Sequence, residues 1–428
     1  MSDTAQPEIR APKPLWVLSA LVAGILLGIA AAGAPAPFSS GVGAVASTVG
    51  GLWLNALEMT VVPLIVALLI TGVAQSAEAA KGGRIAGRAV LWIVILSTAS
   101  AIIGMVLSLL LVQLIPISPE ASNALRSSVN LQGPPPSGAG NSVGSFFHAL
   151  IPQNIFSAAA NSDILALVVA TLLFGLAATR IAAARRKALV DFFAAVTDAF
   201  LVIIGWVLWL APVGVFALAF GLGAAAGGTA FATLLNYILL VCAVGLVVTV
   251  AAYPLAVFGG GIPLRSFTRA MLPPEGIAIS TRSSLACLPA MLTSARELGV
   301  RDEVADVSLP IAVALFRGTG PAMNIAVAVY VAHALGLEPG LGAILAATAV
   351  GAVMSYAAIG LPGEISYISS IAPIAIALGA PIAPLALLVA VEMIPDIIRT
   401  LGNVSLDVGL TTIVDRGQRP AIARTRSE

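Results

Sequence analysis

Charge is what this chain most lacks. Only 10% of its 428 residues are Asp, Glu, Lys or Arg, where a soluble domain carries about a quarter. So few charges cannot clothe a water-facing surface, which excludes an ordinary soluble globule. Cysteine is nearly absent as well. Cys242 and Cys287 lie in apolar or small-residue stretches without framework spacing, which excludes a disulfide scaffold and a thiolate metal site. The histidines are His148, in a polar loop, and His333, near a helix end. A membrane-embedded enzyme would need a nucleophile with its base, or paired His with Glu, so no enzyme is expected. A net charge of +1 leaves no electrostatic footprint for nucleic acid.

What the chain has instead is apolar length. Hydrophobic residues make up 59% of it and the mean hydropathy is +1.03. Runs near or beyond the roughly 20 residues that cross a bilayer cover residues 15–33, 52–75, 90–115, 164–179, 189–220, 229–258, 307–336 and 382–412. The first lacks a convincing cleavage site and is expected to be a retained helix. Two further apolar stretches, 263–297 and 341–380, are broken by Pro, Gly and Ser. Backbone freed from helix at membrane depth survives only when buried in protein or lining a cavity. Such paired interruptions predict re-entrant hairpins around a binding site.

Basic residues gather on the cytoplasmic face of membrane proteins. With the N-terminus inside, one orientation places every Lys and Arg on that face except Arg126, Arg282, Arg317 and Arg399. Both termini are then cytoplasmic, and the inner membrane is the expected location. Arg126 falls in the outer loop 117–150, whereas the other three sit in apolar surroundings. A guanidinium at the bilayer centre costs about 2.5–3.5 kcal/mol even on the lenient insertion scale, so each should face a cavity or a partner.

The most informative segment follows. Glu392, Asp396, Arg399, Asn403 and Asp407 are separated by four, three, four and four residues, which puts them on one helix face. A polar stripe on an apolar helix must look into a site. Arg399 can offer a bidentate fork to a carboxylate, and Asp396, one turn away, can receive an ammonium group. Asn403 and Asp407 supply hard oxygens suited to a small cation such as sodium.

The run Asp396-x-x-Arg399-Thr400-x-x-Asn403-Val404-x-x-Asp407 resembles the last helix of the dicarboxylate/amino acid:cation symporters, the glutamate transporter homologues. Residues 281–289, with Thr281-Arg282-Ser283-Ser284, resemble that family's first hairpin tip, and Gly360-Leu361-Pro362-Gly363 its second. Residues 57–64 resemble its second helix. The order of these segments matches along nearly the whole chain.

The resemblance implies an all-α polytopic fold of eight transmembrane helices and two re-entrant helical hairpins, built from inverted repeats. It implies a homotrimer in the lipid bilayer, without a cofactor, that moves a small anionic substrate by an elevator-like shift. Residues 1–13 would be a cytoplasmic segment, 14–89 scaffold helices 1–2 and 90–116 the third helix, in the moving unit. Residues 117–150 would be the external loop and 151–228 scaffold helices 4–5. Helix 6, hairpin 1, helix 7, hairpin 2 and helix 8 of the moving unit would fill 229–415, with a tail at 416–428. By the same resemblance Arg399 holds a side-chain carboxylate and Asp396 an amino group. Thr400, Asn403, Ser283, Ser284, Thr319, Arg282 and the backbone near Leu361 complete the substrate site.

The chain also departs from the family. Where members carry Asn-Met-Asp-Gly-Thr in an unwound seventh helix, this chain has Leu315-Phe316-Arg317-Gly318-Thr319, and Glu364 follows the second hairpin tip. A cation has replaced an anion. Arg317 is expected to reach Glu392, Glu364 or Asp407 and to stand in for a bound sodium ion, which leaves sodium, a proton or no ion as the coupling partner. An acidic amino acid, glutamate or aspartate, is the leading expectation for the substrate. The alternative is a C4-dicarboxylate, which has no use for a carboxylate at Asp396.

Overall fold

A computed structural model describes residues 13–33, 35–114, 122–123, 126, 150–357 and 363–417. All regular structure among them is helical. The chain opens with α1 (Pro14–Ala32), α2 (Ala36–Lys81) and α3 (Arg84–Val112). At 46 residues, α2 runs about 69 Å, more than twice the hydrocarbon thickness, so it must tilt or extend past it. A short α4 (Ile155–Ala160) follows, its N-terminus capped by Asn154 Oδ1. Next come α5 (Ile164–Ala178), α6 (Ala183–Trp209) and α7 (Ala211–Ala226).

Seven helical stretches among the described residues are long and apolar enough to span a membrane. The expected eight differ in identifiable places. α5 has 15 residues, about 22 Å of rise, which falls short of a full crossing. The single run expected at 189–220 is two helices, because Pro212 starts a new helix just after Leu210.

In the second half, α8 (Thr229–Pro254) continues as a π-helical segment over Leu255–Gly260. Pro254 cannot donate the usual hydrogen bond, and the wider turn follows it. α9 (Leu264–Thr281) and α10 (Ser284–Glu297) pack against each other as a helical hairpin. The prolines expected to break it, Pro273, Pro274 and Pro289, lie inside the two helices. The reversal falls at Arg282, which takes a left-handed φ of 52°, and at Ser283, whose hydroxyl accepts from Ala286 N. A second packed pair, α13 (Leu341–Ala357) and α14 (Gly363–Ala377), flanks the second expected tip, and Leu361 lies outside the described residues.

Between the hairpins the run 307–336 is two helices, α11 (Asp302–Leu315) and α12 (Gly320–Ala334), separated by residues 316–319. α15 (Ala383–Leu388) and a 3-10 turn at Val389–Val391 lead into α16 (Met393–Arg416). α16 packs on α3, α8, α9, α10 and α11, and nearly all of it from Thr400 to Asp415 is buried. α12 is buried almost all round, as an apolar helix without a polar face must be. Many large apolar side chains point outward, among them Trp16, Trp206, Trp209 and Phe258. Such an exterior suits lipid rather than water.

Candidate functional site

Two close approaches bring the site together. A Cβ on Gly402 would lie 2.3 Å from both Thr249 Oγ1 and Thr319 Cγ2, so glycine alone lets α16 meet α8 and the 316–319 interruption. A Cβ on Gly104 would lie 2.3 Å from Ala322 Cα, which seats α3 directly on α12. Ser100 of α3 then donates a 2.6 Å hydrogen bond to the Gly318 carbonyl. An interrupted helix leaves carbonyls without partners, and this bond satisfies one of them.

Arg399 lies at the centre. Its Nη2 donates to Glu392 Oε1 at 2.6 Å and its Nη1 to Asn324 Oδ1 at 2.7 Å. Its Nε is 3.9 Å from Asp396 Oδ1, too far for a hydrogen bond. The other Glu392 oxygen accepts from Tyr237 OH at 2.6 Å, and Tyr237 OH lies 3.1 Å from Tyr367 OH. Arg399 therefore arrives already paired, where a fork free for substrate was expected. Asp396 is flanked by cations: Arg282 Nη1 is 3.6 Å from its Oδ2, and both Arg399 and Arg317 are within electrostatic reach. That arrangement places guanidinium groups where an ammonium was expected.

The remaining expected residues divide. Thr319 Oγ1 lies 2.8 Å from Asn403 Oδ1 and 2.9 Å from the Arg399 carbonyl, while Thr319 N also donates to Asn403 Oδ1 at 3.0 Å. The single hydroxyl proton serves one of these two acceptors at a time, and the Thr319 amide holds Asn403 Oδ1 in either case. Asn403 thus tethers the interruption to α16. Thr400 Oγ1 donates to the Asp396 carbonyl at 2.9 Å. Ser283 caps α10, and Ser284 opens it, half-buried. Glu364 lies in α14, with its side chain outside the description.

Asp407 stands apart. It is fully buried, and neither carboxylate oxygen has a hydrogen-bond partner among the described residues. Of the three carboxylates expected within reach of Arg317, Asp407 thus accepts no hydrogen bond from it. The two Glu392 oxygens are likewise taken by Arg399 and Tyr237. Among the described side chains Asp396, one turn before Arg399 on the same helix, is a carboxylate that acts on Arg317, and the third expected partner, Glu364, has its side chain outside the description. Asn324, Tyr237, Tyr367 and Ser100 were missed from the sequence. Asn324 stands out in an otherwise apolar stretch of α12, which is the signal that could have found it, whereas Ser100, Tyr237 and Tyr367 sit beside other polar residues and carry no such signal. No group of three or more His, Cys, Asp or Glu suited to a metal ion occurs among the described residues.

Chemically, the described residues gather three guanidinium groups, Arg282, Arg317 and Arg399, around the carboxylates of Asp396 and Glu392. The profile of the sodium:dicarboxylate symporter family matches residues 14–417. The C4-dicarboxylate transport protein of Rhizobium etli is 26% identical over 437 residues, covering 96% of this chain and 92% of its own. That of Cupriavidus taiwanensis is 27% identical over 422 residues, covering 93% and 89%. That of Solibacter usitatus is 27% identical over 416 residues, covering 95% and 92%.

Proposed function

This chain belongs to the sodium:dicarboxylate symporter family, and we propose that it carries a C4-dicarboxylate across the membrane together with a cation. It is a multi-pass membrane protein of a transporter family, and neither its relatives nor its site suggests catalysis. The observation that carries the substrate reading is the surroundings of Asp396. An ammonium group seated on Asp396 would have to share its carboxylate with Arg282, 3.6 Å from one oxygen, and Arg399, 3.9 Å from the other. Like charges this close disfavour it. A substrate with two carboxylates and no amino group meets no such repulsion. The names of the matching relatives agree with this choice over the acidic amino acids.

Arg399 and Arg282 hold the two substrate carboxylates in this reading, and Ser283 and Ser284 line the same end of the pocket. A buried charge must be paired, so Asp407 takes the co-transported cation. The two helical hairpins enter the membrane without crossing it and close the pocket from either side. The unit 229–415 moves with α3 against a trimeric scaffold in the inner membrane, both termini facing the cytoplasm.

The test is uptake of labelled succinate, aspartate and glutamate into proteoliposomes, with sodium, with potassium, and with a proton gradient alone. Concentrative succinate uptake is expected. Uptake of aspartate without succinate would return the substrate to the acidic amino acids, and equilibration without concentration would make the protein a facilitator.

A further inference from the structure

We infer that Glu275 is a positioning residue for substrate binding: it pins the first arm of the first hairpin in register on α8 and α16, and so sets where Arg282 stands. This rests on the dicarboxylate reading above, in which Arg282 holds one substrate carboxylate.

Glu275 lies outside the polar stripe of α16. It is half-buried in α9, and its Oε1 accepts from Tyr253 OH of α8 and from Ser405 Oγ of α16, both at 2.9 Å. One atom thus joins three helices. The Ser405 proton reaches either this oxygen or the Leu401 carbonyl, at 3.0 Å. That carbonyl already serves the helix ladder of α16, and a carboxylate is the stronger acceptor. Tyr253 also packs its ring edge-on against Phe267, eight residues before Glu275 in α9, so it grips the arm at two levels.

The proline just before Glu275 fastens the two arms of the hairpin to each other. Pro274 has no N–H to give the Ala270 carbonyl four residues back, and Ser294 Oγ of α10 lies 2.7 Å from that oxygen. The other acceptor near Ser294, the Ala290 carbonyl at 2.9 Å, lies in its own helix. Of the two, Ala270 is the carbonyl that lacks a helical donor. Pro274 thus ties α9 to its partner arm, and Glu275 ties α9 to the helices behind it.

Helix register carries this to the site. α9 is continuous through Thr281, so Arg282 stands seven residues, about 10.5 Å, beyond Glu275. From Ser405 back to Asp396, α16 covers nine residues, about 13.5 Å. The contacts Glu275–Ser405 and Arg282–Asp396 are therefore those of antiparallel helices matched at two levels. At the tip, Arg282 Nη1 is 3.6 Å from Asp396 Oδ2, an ion pair too long for a hydrogen bond. That contact tolerates sliding, whereas the hydrogen bonds at Glu275 do not. A slip of one turn would set Glu275 opposite Leu401 or Gly409, neither of which has a side-chain donor, and a half-buried carboxylate without donors is costly. The same slip would carry Arg282 about 5.4 Å along the arm, beyond hydrogen-bond reach of a carboxylate held by Arg399.

The experiment measures succinate affinity and thermal unfolding of the full chain in nanodiscs, with aspartate in parallel. Glu275→Ala should weaken succinate about tenfold, the equivalent of one hydrogen bond to a charged group. Glu275→Gln keeps an oxygen that accepts from both hydroxyls and should bind within about twofold of native. Thr268→Ala, whose exposed hydroxyl bonds within α9, should change nothing. In an Arg282→Gln background, Glu275→Ala should cost no further affinity, because the pin acts through Arg282. Should Glu275→Ala fail to fold, Tyr253→Phe combined with Ser405→Ala removes the same two hydrogen bonds and takes its place. Native affinity with a lowered unfolding temperature makes Glu275 merely structural, which overturns the inference and leaves the dicarboxylate reading standing. A loss that recurs undiminished beside Arg282→Gln, or one as large in Glu275→Gln as in Glu275→Ala, overturns it as well. Native binding of aspartate without succinate overturns the dicarboxylate reading alone, and the same variants read against aspartate then decide the pin. Binding of neither overturns both.

Discussion

Replacing Arg399 with Met keeps the side-chain length and removes the guanidinium. Arg399 is 13% exposed and Glu392 8%, so water screens the pair weakly. Breaking such a buried pair costs about 3–5 kcal/mol, because Glu392 is left charged and Asn324 Oδ1 loses its donor. Protonation sets a ceiling on the first term. From an ordinary carboxyl pKa of about 4.3, neutralising Glu392 at pH 7 costs about 4 kcal/mol. The expected loss is therefore about 3–4 kcal/mol at pH 7, a large share of a typical folding free energy. The loss should shrink as the pH falls, because the proton takes over from the missing cation.

Adding Glu392→Gln to Arg399→Met removes the stranded charge and should recover about 2 kcal/mol, within the range of direct couplings. Binding should not recover. Each hydrogen bond from a charged donor contributes about 1.5–3 kcal/mol, so losing a two-bond fork weakens succinate at least about a hundredfold. Thermal unfolding by tryptophan fluorescence and equilibrium succinate binding, each at two pH values, separate the effects. Succinate affinity within threefold of native in Arg399→Met would remove this residue from the site. Equal destabilisation in the single and double variants would refute the pairing argument.

Ser100→Ala deletes the buried 2.6 Å bond to the Gly318 carbonyl and should cost about 1–2 kcal/mol and weaken succinate binding. Ser108→Ala, whose bond stays within α3, should leave binding unchanged. Gly402→Ala places a methyl 2.3 Å from Thr319 Cγ2. It should lower the unfolding temperature and the affinity together, while Gly41→Ala, with open space at its Cβ, should change neither. Asp396→Asn should weaken succinate and aspartate alike, measured as an unchanged ratio of their Kd values.

The helical, membrane-embedded class follows from composition, because a chain with so little charge has one solvent that suits it. Boundaries were less legible. Hydropathy merges α6 with α7 and α11 with α12, since it measures apolarity and is blind to a turn between two apolar helices. The first hairpin shows the converse. Pro273, Pro274 and Pro289 look like breaks, yet each is accommodated within a helix. The reversal falls on Arg282, because a capping serine with a left-handed residue before it ends one helix and starts the next.

The polar stripe of the last helix was legible in its spacing, but its pairing was not. A period of three to four residues puts Glu392, Asp396, Arg399, Asn403 and Asp407 on one face and says nothing of what approaches that face. Arg282 comes from a hairpin more than a hundred positions earlier, and Arg317 from an interrupted helix. Together they change what Asp396 can do. Seen alone, its carboxylate looks like a seat for an ammonium group. With Arg282 3.6 Å from one oxygen and Arg399 3.9 Å from the other, its charge is already answered, and in the proposed reading it holds those two cations in position. Losing it by Asp396→Asn then leaves both guanidiniums less well placed for any carboxylate substrate. A residue that positions the cations penalises succinate and aspartate equally. A residue that binds an amino group penalises aspartate alone, so a selective loss of aspartate would overturn the positioning role.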